Sequence, residues 1–230
     1  MSLLLEVIVQ TVADARAATD GGADRLEVVR AIHDGGLTPL LSTVRAIAAE
    51  TSLPLRVMVR ENAGYELAPG ELPALRRAAA EFAGAGVDGL VIGFARSGEA
   101  LLEDVERVVE SAPHVHVTFH RAFDALTDPL GTIPRLSGLR NVDHILTSGG
   151  DGSAEARCER LSQYVKSAGP GVAIIAGGGV DEESLSLFAR AGCVREVHVG
   201  RAAREGGEPD GPVSAARVRR LKQLTNTARP

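Results

Sequence analysis

Short apolar runs rich in β-branched residues alternate along the chain with longer stretches of helical periodicity. The apolar runs predict eight strands, at 3–9, 25–30, 55–60, 89–94, 115–121, 144–148, 172–176 and 196–200. The intervening stretches predict eight helices, at 11–22, 39–51, 71–86, 99–111, 130–139, 154–167, 182–192 and 213–225. This alternation is typical of βα units repeated around a parallel sheet.

Eight regular βα units within 230 residues favour a (β/α)8 barrel of TIM type, and therefore one domain over 1–230. An open Rossmann-type sheet would place a G-x-G-x-x-G motif after the first strand, but Val9 is followed by Gln10, Thr11 and Val12. No linker or low-complexity tract divides the chain. The segment 204–212 is predicted to be a surface loop, and the tail 226–230 is predicted to fray.

Four residues mark helix ends in the sequence. Gly22, Gly86 and Gly192 each stand shortly before a strand, where a helix finishes in the left-handed conformation. Asp181 precedes an acidic first turn and is predicted to cap the N-terminus of its helix.

Polar residues interrupt the predicted strands, mostly near the strand ends that build active sites in a barrel of this kind. They are Glu6, Arg25, Glu27, Arg60, His114, His116, Thr118, His120, Arg121, Asp124, Thr147 and Ser148. Arg25 and Glu27 are two apart and share a face of their strand. His114 and His116 lie toward the closed end and are predicted to be structural or exposed, whereas His198 on the last strand could be either structural or functional.

Charged groups inside a barrel must pair with one another or with a ligand, because an unpaired buried charge costs several kcal/mol. One interpretation is a closed structural ion network made by Glu6, Arg25, Glu27 and Arg60. The other is a catalytic site, in which Glu27 or Glu6 acts as acid or base beside His120 and Arg60 orients an anion. Both interpretations stay open at this point.

A metal site would be a third use of these residues. His120 with Glu6 or Glu27 offers nitrogen and carboxylate ligands, which suit zinc or manganese better than copper(I). The spacing assigns no metal ligand set, so the metal ligands are unknown.

Glycines cluster after the last two predicted strands, at Gly177, Gly178 and Gly179 and again at Gly200 before Arg201. Exposed backbone N–H groups in such loops commonly bind phosphate in barrel enzymes, so Gly177, Gly178 and Gly200 are candidate anion-binding residues. The alternative is that these glycines only relieve tight turns.

Composition narrows the possible partners. The formal net charge is -5, so the chain has no basic field with which to attract nucleic acid. No apolar run approaches the roughly 18 residues of a membrane span.

Cys158 and Cys193 are far apart in sequence, so neither a disulfide framework nor a thiolate metal cage is predicted. The apolar segment 3–9 lacks the features of a signal peptide, and a cytoplasmic location is expected.

Four motifs carry a family resemblance: Gly-Ala-Asp-Arg-Leu-Glu at 22–27, Gly-Gly-Leu-Thr-Pro at 35–39, Thr-Phe-His-Arg-Ala-Phe-Asp at 118–124 and Leu-Thr-Ser-Gly at 146–149. They resemble the CutC copper homeostasis family. The resemblance implies a (β/α)8 barrel, a cytoplasmic homo-oligomer, and copper as a bound ion. It carries over Glu6, Arg25, Glu27, Arg60, His120, Arg121, Asp124, Thr147 and Ser148.

The chain departs from that family where many members have cysteines. Glu6 is followed by Val7 and Ile8, and Glu27 is followed by Val28 and Val29. Copper is therefore implied by the resemblance alone.

Two functions are expected on these grounds, and a third stays open. The first is a CutC-type copper homeostasis or copper-binding protein with a small-molecule site at the barrel mouth. The second is an enzyme of isomerase or lyase type acting on a small anionic metabolite, phosphorylated metabolites included, without intrinsic copper binding. In it, Arg25, Arg121, Asp124, Thr147 and Ser148 join the glycines as substrate-binding residues. The third is an oligomeric binding module without catalysis.

Overall fold

Eight parallel strands close into the barrel that the alternating pattern predicts, in a computed structural model that describes residues 2–226. The strands, in chain order, are β1 (Leu4–Val9), β2 (Arg25–Val28), β3 (Leu55–Met58), β4 (Gly89–Ile92), β5 (Ala95–Arg96), β6 (Glu99–Ala100), β7 (His116–Phe119), β8 (Val142–Thr147), β9 (Ala173–Ala176) and β10 (Glu196–Val199). β5 and β6 form a separate hairpin. The barrel order is β1-β2-β3-β4-β7-β8-β9-β10, and β10 pairs with β1.

Eight α-helices connect these strands and cover the barrel. They are α1 (Val12–Gly21), α2 (Leu41–Glu50), α3 (Leu72–Gly84), α4 (Leu102–Val109), α5 (Pro129–Ser137), α6 (Ala154–Ala168), α7 (Glu182–Ala191) and α8 (Ala215–Thr225). No helix within residues 2–226 is long and apolar enough to cross a membrane. Of the tail predicted to fray, 227–230 lie outside the described residues.

Strand alternation decides which side chains enter the barrel. On β1, Leu5, Val7 and Val9 are fully buried and belong to the main apolar core. Glu6 belongs to the other face of the strand, and its register partners are Arg25 on β2 and His198 on β10. Three adjacent strands therefore bring a carboxylate, a guanidinium and an imidazole to one level of the barrel.

The predicted helix ends are confirmed by the backbone. Gly22 and Gly192 follow α1 and α7 with φ of 89° and 64°, and Gly86, two residues beyond α3, has φ of 78°. Asp181 caps α7, because its carboxylate accepts the Ser184 N–H at 2.9 Å and Ser184 Oγ accepts the Asp181 N–H at 3.0 Å.

Replacing Asp181 with alanine is expected to lower the free energy of unfolding by about 1 kcal/mol, the usual value of an N-cap. Chemical denaturation followed by circular dichroism measures this change. Glu183→Ala is the matched control, because it removes a carboxylate from the same first turn without removing the cap. Equal losses in the two variants would contradict the capping role.

Several predicted boundaries differ from the structure by one to three residues, and two of these differences have an identifiable reason. α4 begins at Leu102 and not at 99, because Glu99–Ala100 pairs with Ala95–Arg96 across a turn with positive φ at Ser97 and Gly98. The predicted strand starting at 144 begins two residues earlier at Val142, since the polar Asp143 interrupts the apolar run.

The predicted surface loop also begins with a buried residue. Arg204 is only 1% exposed, and its guanidinium donates to the carbonyl oxygens of Gly211 at 2.6 Å and Ile8 at 3.1 Å. It also lies 3.5 Å from the Asp14 carboxylate. This arginine anchors the loop to β1.

Candidate active site at the barrel mouth

A cavity of about 900 Å³ opens at the carboxyl ends of the strands. Apolar side chains form part of its wall, namely Ile8, Val29, Met58, Leu146 and Val180. Glu27, His120 and His198 also line it, and all three are buried. The cavity therefore combines apolar walls with a few buried polar groups, as small-molecule sites do.

Glu27 and His198 line the cavity, and Glu6 lies behind them in contact with His198; these three residues are here called the floor. His198 Nδ1 lies 2.7 Å from Glu6 Oε1 and 3.3 Å from Glu27 Oε2. Glu27 Oε2 nevertheless has no hydrogen-bond partner within the described chain. The imidazole thus stands between two carboxyl groups, of which Glu6 holds it more closely.

Beneath this floor, Arg25 links Glu6 to a second layer of charges. Its Nε donates to Glu6 Oε2, one terminal nitrogen donates to Glu196 Oε2 at 2.6 Å, and the other lies 3.2 Å from His144 Nε2. Arg25 is 4% exposed, so this contact pattern forms away from bulk water. Of the four residues expected to form a network, Glu6 and Arg25 are paired directly, and Arg25 extends the contacts to Glu196 and His144.

A third layer continues toward the closed end. Asp143 lies 2.8 Å from His144 Nδ1 and accepts two hydrogen bonds of 2.8 Å from Arg56. Arg56 Nε lies 2.7 Å from Asp88. Gly89 makes room for this guanidinium, since a Cβ there would stand 2.5 Å from Arg56 Nη1. The nine residues of the three layers are here called the ion-pair column: Glu27, His198, Glu6, Arg25, Glu196, His144, Asp143, Arg56 and Asp88.

The pKa values of the two carboxyl groups, Glu6 and Glu27, are shifted in opposite directions. Burial opposes the ionisation of Glu6, but the Arg25 charge and the His198 contact outweigh it and hold the pKa of Glu6 well below its usual range. Burial raises the pKa of Glu27 to about 7, although the His198 charge acts in the other direction, and the charge of Glu6 adds to the rise. Burial lowers the pKa of His198, but the charges of Glu27 and Glu6 and the hydrogen bond to Glu6 leave it raised overall.

His120 is held in one neutral form on another part of the cavity wall. Its Nδ1 accepts the Ala122 N–H at 3.1 Å, which leaves the proton on Nε2. That Nε2 is buried and has no partner among residues 2–226. Burial, together with the charges of Arg60 and Arg121, lowers the pKa of His120 to about 3. His120 follows β7, three strands around the barrel from β2, and makes no hydrogen bond to Glu6 or Glu27 in the described structure.

Arg60 does not join the carboxylates. Its guanidinium donates to the carbonyl oxygens of Ala63, Gly64 and Gly35, and it stacks 5.0 Å over the ring of Tyr65. It therefore fixes two loops at the rim while one face of the group lines the cavity. The sequence interpretation in which Arg60 pairs with Glu6 or Glu27 is corrected by these contacts.

Asp124 is fully engaged at the junction of two loops. Its carboxylate accepts hydrogen bonds from Thr147 Oγ1 at 2.6 Å, from the Ser148 N–H at 3.0 Å and from Arg121 Nε at 2.8 Å. The contact with Asp124 uses only Nε of Arg121, so the two terminal nitrogens stay available for a ligand. The side chain is 48% exposed at the cavity rim. The predicted substrate-binding residues thus divide into two groups. Arg121, Gly178 and Gly200 line the cavity, whereas Arg25, Asp124, Thr147, Ser148 and Gly177 lie behind its surface.

The glycine loop after β9 offers bare backbone donors. Gly178 and Gly179 have φ of 67° and 81°, and neither N–H has a hydrogen-bond partner in the described chain. A Cβ at Gly178 would stand 2.8 Å from Ser148 Cβ and 3.2 Å from the Arg121 guanidinium carbon. A glycine is therefore required at position 178 by packing, and the loop places Gly178 beside Arg121.

His198 is the main residue that the sequence did not assign. The signal was present, because Glu196 and His198 alternate onto one face of the last strand, two residues before Gly200. Arg56, Asp143 and His144 were also missed. They belong to the closed half of the barrel, where sequence reasoning looks for stability rather than for chemistry.

Comparison with known protein families resolves the relationship. The CutC family model matches residues 3–203. The chain belongs to the CutC family. A CutC family protein of Xanthomonas campestris is 30% identical over 97% of this chain and 99% of its own length. One from Caulobacter vibrioides is 35% identical over 93% and 84%. The crystal structure of a CutC copper homeostasis protein from Streptococcus agalactiae superposes with a TM-score of 0.78 at 22% identity, over 85% of this chain and 97% of that one.

The mouth of this CutC-family barrel does not fit copper(I). Histidine, cysteine, aspartate and glutamate are the side chains that could hold a metal ion here. Within residues 2–226, one group of three of them has its ligand atoms within 4.8 Å of one another, and it consists of Glu6, Glu27 and His198. They offer one nitrogen and two carboxylate oxygens, whereas copper(I) prefers sulfur. Met58 contributes a single thioether to the wall. Glu6 and His198 are moreover already paired with Arg25 and with each other.

Proposed function

We propose that this CutC-family protein binds a small anionic metabolite in the barrel mouth and transfers a proton to or from it, in a reaction of isomerase or lyase type. The observation that carries the proposal is the arrangement of Glu6, His198 and Glu27, in which Glu6 is paired with Arg25 and His198 while Glu27 Oε2 has no hydrogen-bond partner in the described chain. These surroundings lower the pKa of Glu6 and raise that of Glu27. Two titratable groups with diverging pKa values are the usual mark of acid–base assignments.

Glu27 is the proposed proton-transfer group. Its Oε2 has no hydrogen-bond partner in the described structure and belongs to a side chain that lines the cavity. A pKa of about 7 makes both protonation states available at neutral pH, which is the optimum for a general acid or base.

His198 is the proposed second catalytic group. Glu6 holds its Nδ1 at 2.7 Å, so the ring has a fixed orientation and its Nε2 has no protein partner among the described residues. A carboxylate that orients a histidine in this way stabilises the charged form of the ring after proton uptake. In this proposal Glu6 is a positioning residue.

The anionic part of the ligand is proposed to bind at the glycine loop, away from the proton-transfer groups Glu27 and His198. Gly178, Gly179 and Arg121 all line the mouth, and the Arg121 guanidinium lies next to Gly178. Such a group of donors suits a phosphate or carboxylate. Arg201 adds a further positive charge at the rim.

Copper binding at the mouth is not part of this proposal, because the donor atoms there are nitrogen and carboxylate oxygen. The cytoplasmic location and the self-association implied by the family stay predictions.

The proposal is tested by deuterium exchange. A panel of sugar phosphates that carry a carbonyl group is incubated in D2O with the protein, and deuterium incorporation is measured by mass spectrometry. We expect exchange in at least one compound, its loss in Glu27→Gln, and retention in the rim control Glu183→Gln. Exchange in no compound, or exchange at the wild-type rate in Glu27→Gln, would overturn the proposed proton transfer.

A further inference from the structure

Two residues on the cavity wall each carry a buried polar atom without a hydrogen-bond partner. Among residues 2–226, several buried side-chain nitrogen and oxygen atoms have no such partner, but only two of them belong to residues that line the mouth. They are Glu27 Oε2 and His120 Nε2. A buried polar group is costly to leave unpaired, so a bound ligand is expected to supply both partners. Glu27 already has a role in the proposed proton transfer, whereas His120 has none.

The His120 ring is held in one orientation, with a single donor left over. Its Nδ1 accepts the Ala122 N–H at 3.1 Å, so the one proton of the neutral ring is on Nε2. The ring edge that carries Nδ1 packs against Gly93, where a Cβ would stand 2.7 Å from that nitrogen. The rings of Tyr65 and Phe119 lie at centroid distances of 5.5 and 6.3 Å. The free position of His120 can therefore donate a hydrogen bond but cannot accept one.

The charges around His120 favour an acceptor oxygen that becomes negative during a reaction. Arg60 stacks over Tyr65, which is in turn packed against His120. Burial, together with the charges of Arg60 and Arg121, lowers the pKa of His120 to about 3, so the ring stays neutral at physiological pH. A fixed donor near two positive charges stabilises an oxyanion as it forms. A carbonyl oxygen next to a carbon that loses a proton acquires negative charge in this way.

We propose that His120 is a catalytic residue whose Nε2–H binds the carbonyl oxygen of a phosphorylated aldehyde or ketone. The inference rests on the proposed function, because it names the class of compound that the proton-transfer site accepts. The phosphate binds at Arg121 and the glycine loop, where charged and backbone donors suit an anion. The neutral donor of His120 is left for the uncharged carbonyl group.

The proton transfer then proceeds without an oxidant, a reductant or a covalent intermediate. The Glu27 carboxylate takes the proton from the carbon next to the carbonyl group. The electron pair of that C–H bond forms a carbon–carbon double bond, and the carbonyl π pair moves onto the oxygen. The resulting enolate oxygen is held by His120 Nε2–H. Return of the proton from Glu27 restores the C–H bond.

The carbonyl stretching frequency of a bound probe tests the contact without requiring catalysis. The probe is dihydroxyacetone phosphate with a carbon-13 label at the ketone, and the protein is the Glu27→Gln variant, which lacks the proposed base. A hydrogen bond weakens the C=O bond, so we expect infrared spectroscopy to show a lower frequency for the bound probe than for the free one. Adding His120→Phe, which keeps a ring but has no N–H, should remove this shift. It should also weaken binding about 2–10-fold, the value of one neutral hydrogen bond.

Thr118→Val is the matched control. Thr118 Oγ1 is also buried without a partner, two residues before His120, but Thr118 does not line the cavity. We expect the frequency and the affinity to stay unchanged in this variant. His120→Gln, whose amide offers an N–H in place of the imidazole, should restore part of the shift. Circular dichroism establishes that the variants are folded.

Three results would overturn the carbonyl contact. They are failure of the probe to bind at millimolar concentration, an unshifted carbonyl frequency in Glu27→Gln, and the same shift in the Glu27→Gln, His120→Phe double variant. The first two need no substitution at His120, so they hold even if that position proves essential for folding.

Deuterium exchange separates this inference from the proton transfer on which it rests. His120→Phe alone should slow exchange into the carbonyl compound roughly 100–1000-fold, the effect of losing one donor to a developing oxyanion. Exchange at the wild-type rate in His120→Phe would overturn the role of His120 and keep Glu27 as the base. A shifted carbonyl frequency without exchange in the wild type would keep the His120 contact and overturn the proton transfer.

Discussion

Replacing Arg25 with methionine is expected to lower the free energy of unfolding by about 3–5 kcal/mol, the cost of breaking a buried ion pair from one side. Arg25 contacts Glu6, Glu196 and His144 at once, and its side chain is 5% exposed. Methionine fills a similar volume but leaves the Glu6 and Glu196 carboxylates without their cation. The loss comes from these stranded charges and not from an empty space.

Urea denaturation at neutral pH, followed by circular dichroism, measures the effect. Arg16→Met is the matched control, because Arg16 pairs with Glu50 while 62% exposed, and surface pairs of this kind contribute little. The Arg25→Met, Glu6→Gln double variant should recover part of the loss, since it removes one stranded charge. Equal effects in Arg25→Met and Arg16→Met would show that the column carries no special stabilisation.

Replacing Glu27 with glutamine is expected to stabilise the protein by about 2–3 kcal/mol at pH 8 and by little near pH 4.5. The pKa of Glu27 rises from its ordinary 4.5 in the unfolded chain to about 7 in the fold. Between these values the folded state binds the proton more tightly than the unfolded state, so the stability of the native protein falls as the pH rises. Glutamine does not ionise and removes this dependence.

Glu6→Gln provides a control of opposite sign. The pKa of Glu6 is lowered in the fold, so its ionised form contributes stability above the ordinary pKa, and that stability is lost as the pH falls. We expect Glu6→Gln to be destabilising at neutral pH and the deficit to shrink on acidification. Denaturation curves at a series of pH values measure both variants. A Glu27→Gln variant that is no more stable at pH 8 than at pH 5, relative to the wild type, would contradict the assignment.

The fold was predictable because its signal is local. The spacing of apolar residues along each segment distinguishes a helix from a strand, and it can be read without knowledge of distant contacts. The hairpin at Ala95–Arg96 and Glu99–Ala100 escaped because two-residue strands leave no periodic signal. Helix-end glycines and the Asp181 cap were predictable for the same local reason.

The site was predictable only in part because its contacts are non-local. Strand alternation places Glu6, Arg25 and Glu27 in the interior, but it cannot tell which charges meet across a closed barrel. Arg60 illustrates the limit, since it is bound by loop carbonyls that no strand pattern describes. The pairing of His198 with Glu6 depends on the register of the first and last strands.

The ion-pair column also constrains how this barrel can diverge in evolution. Arg25 and Arg56 each pair with carboxylates from other parts of the chain, so replacing one of them leaves a buried carboxylate without its cation. Acceptable changes therefore have to occur in combination. The order of these changes matters as well. Any side chain at Gly89 would collide with Arg56, so position 89 can acquire one only after position 56 has become smaller. The centre of the barrel is therefore a region of strong epistasis, in which the fate of one mutation is decided by residues from a different part of the gene.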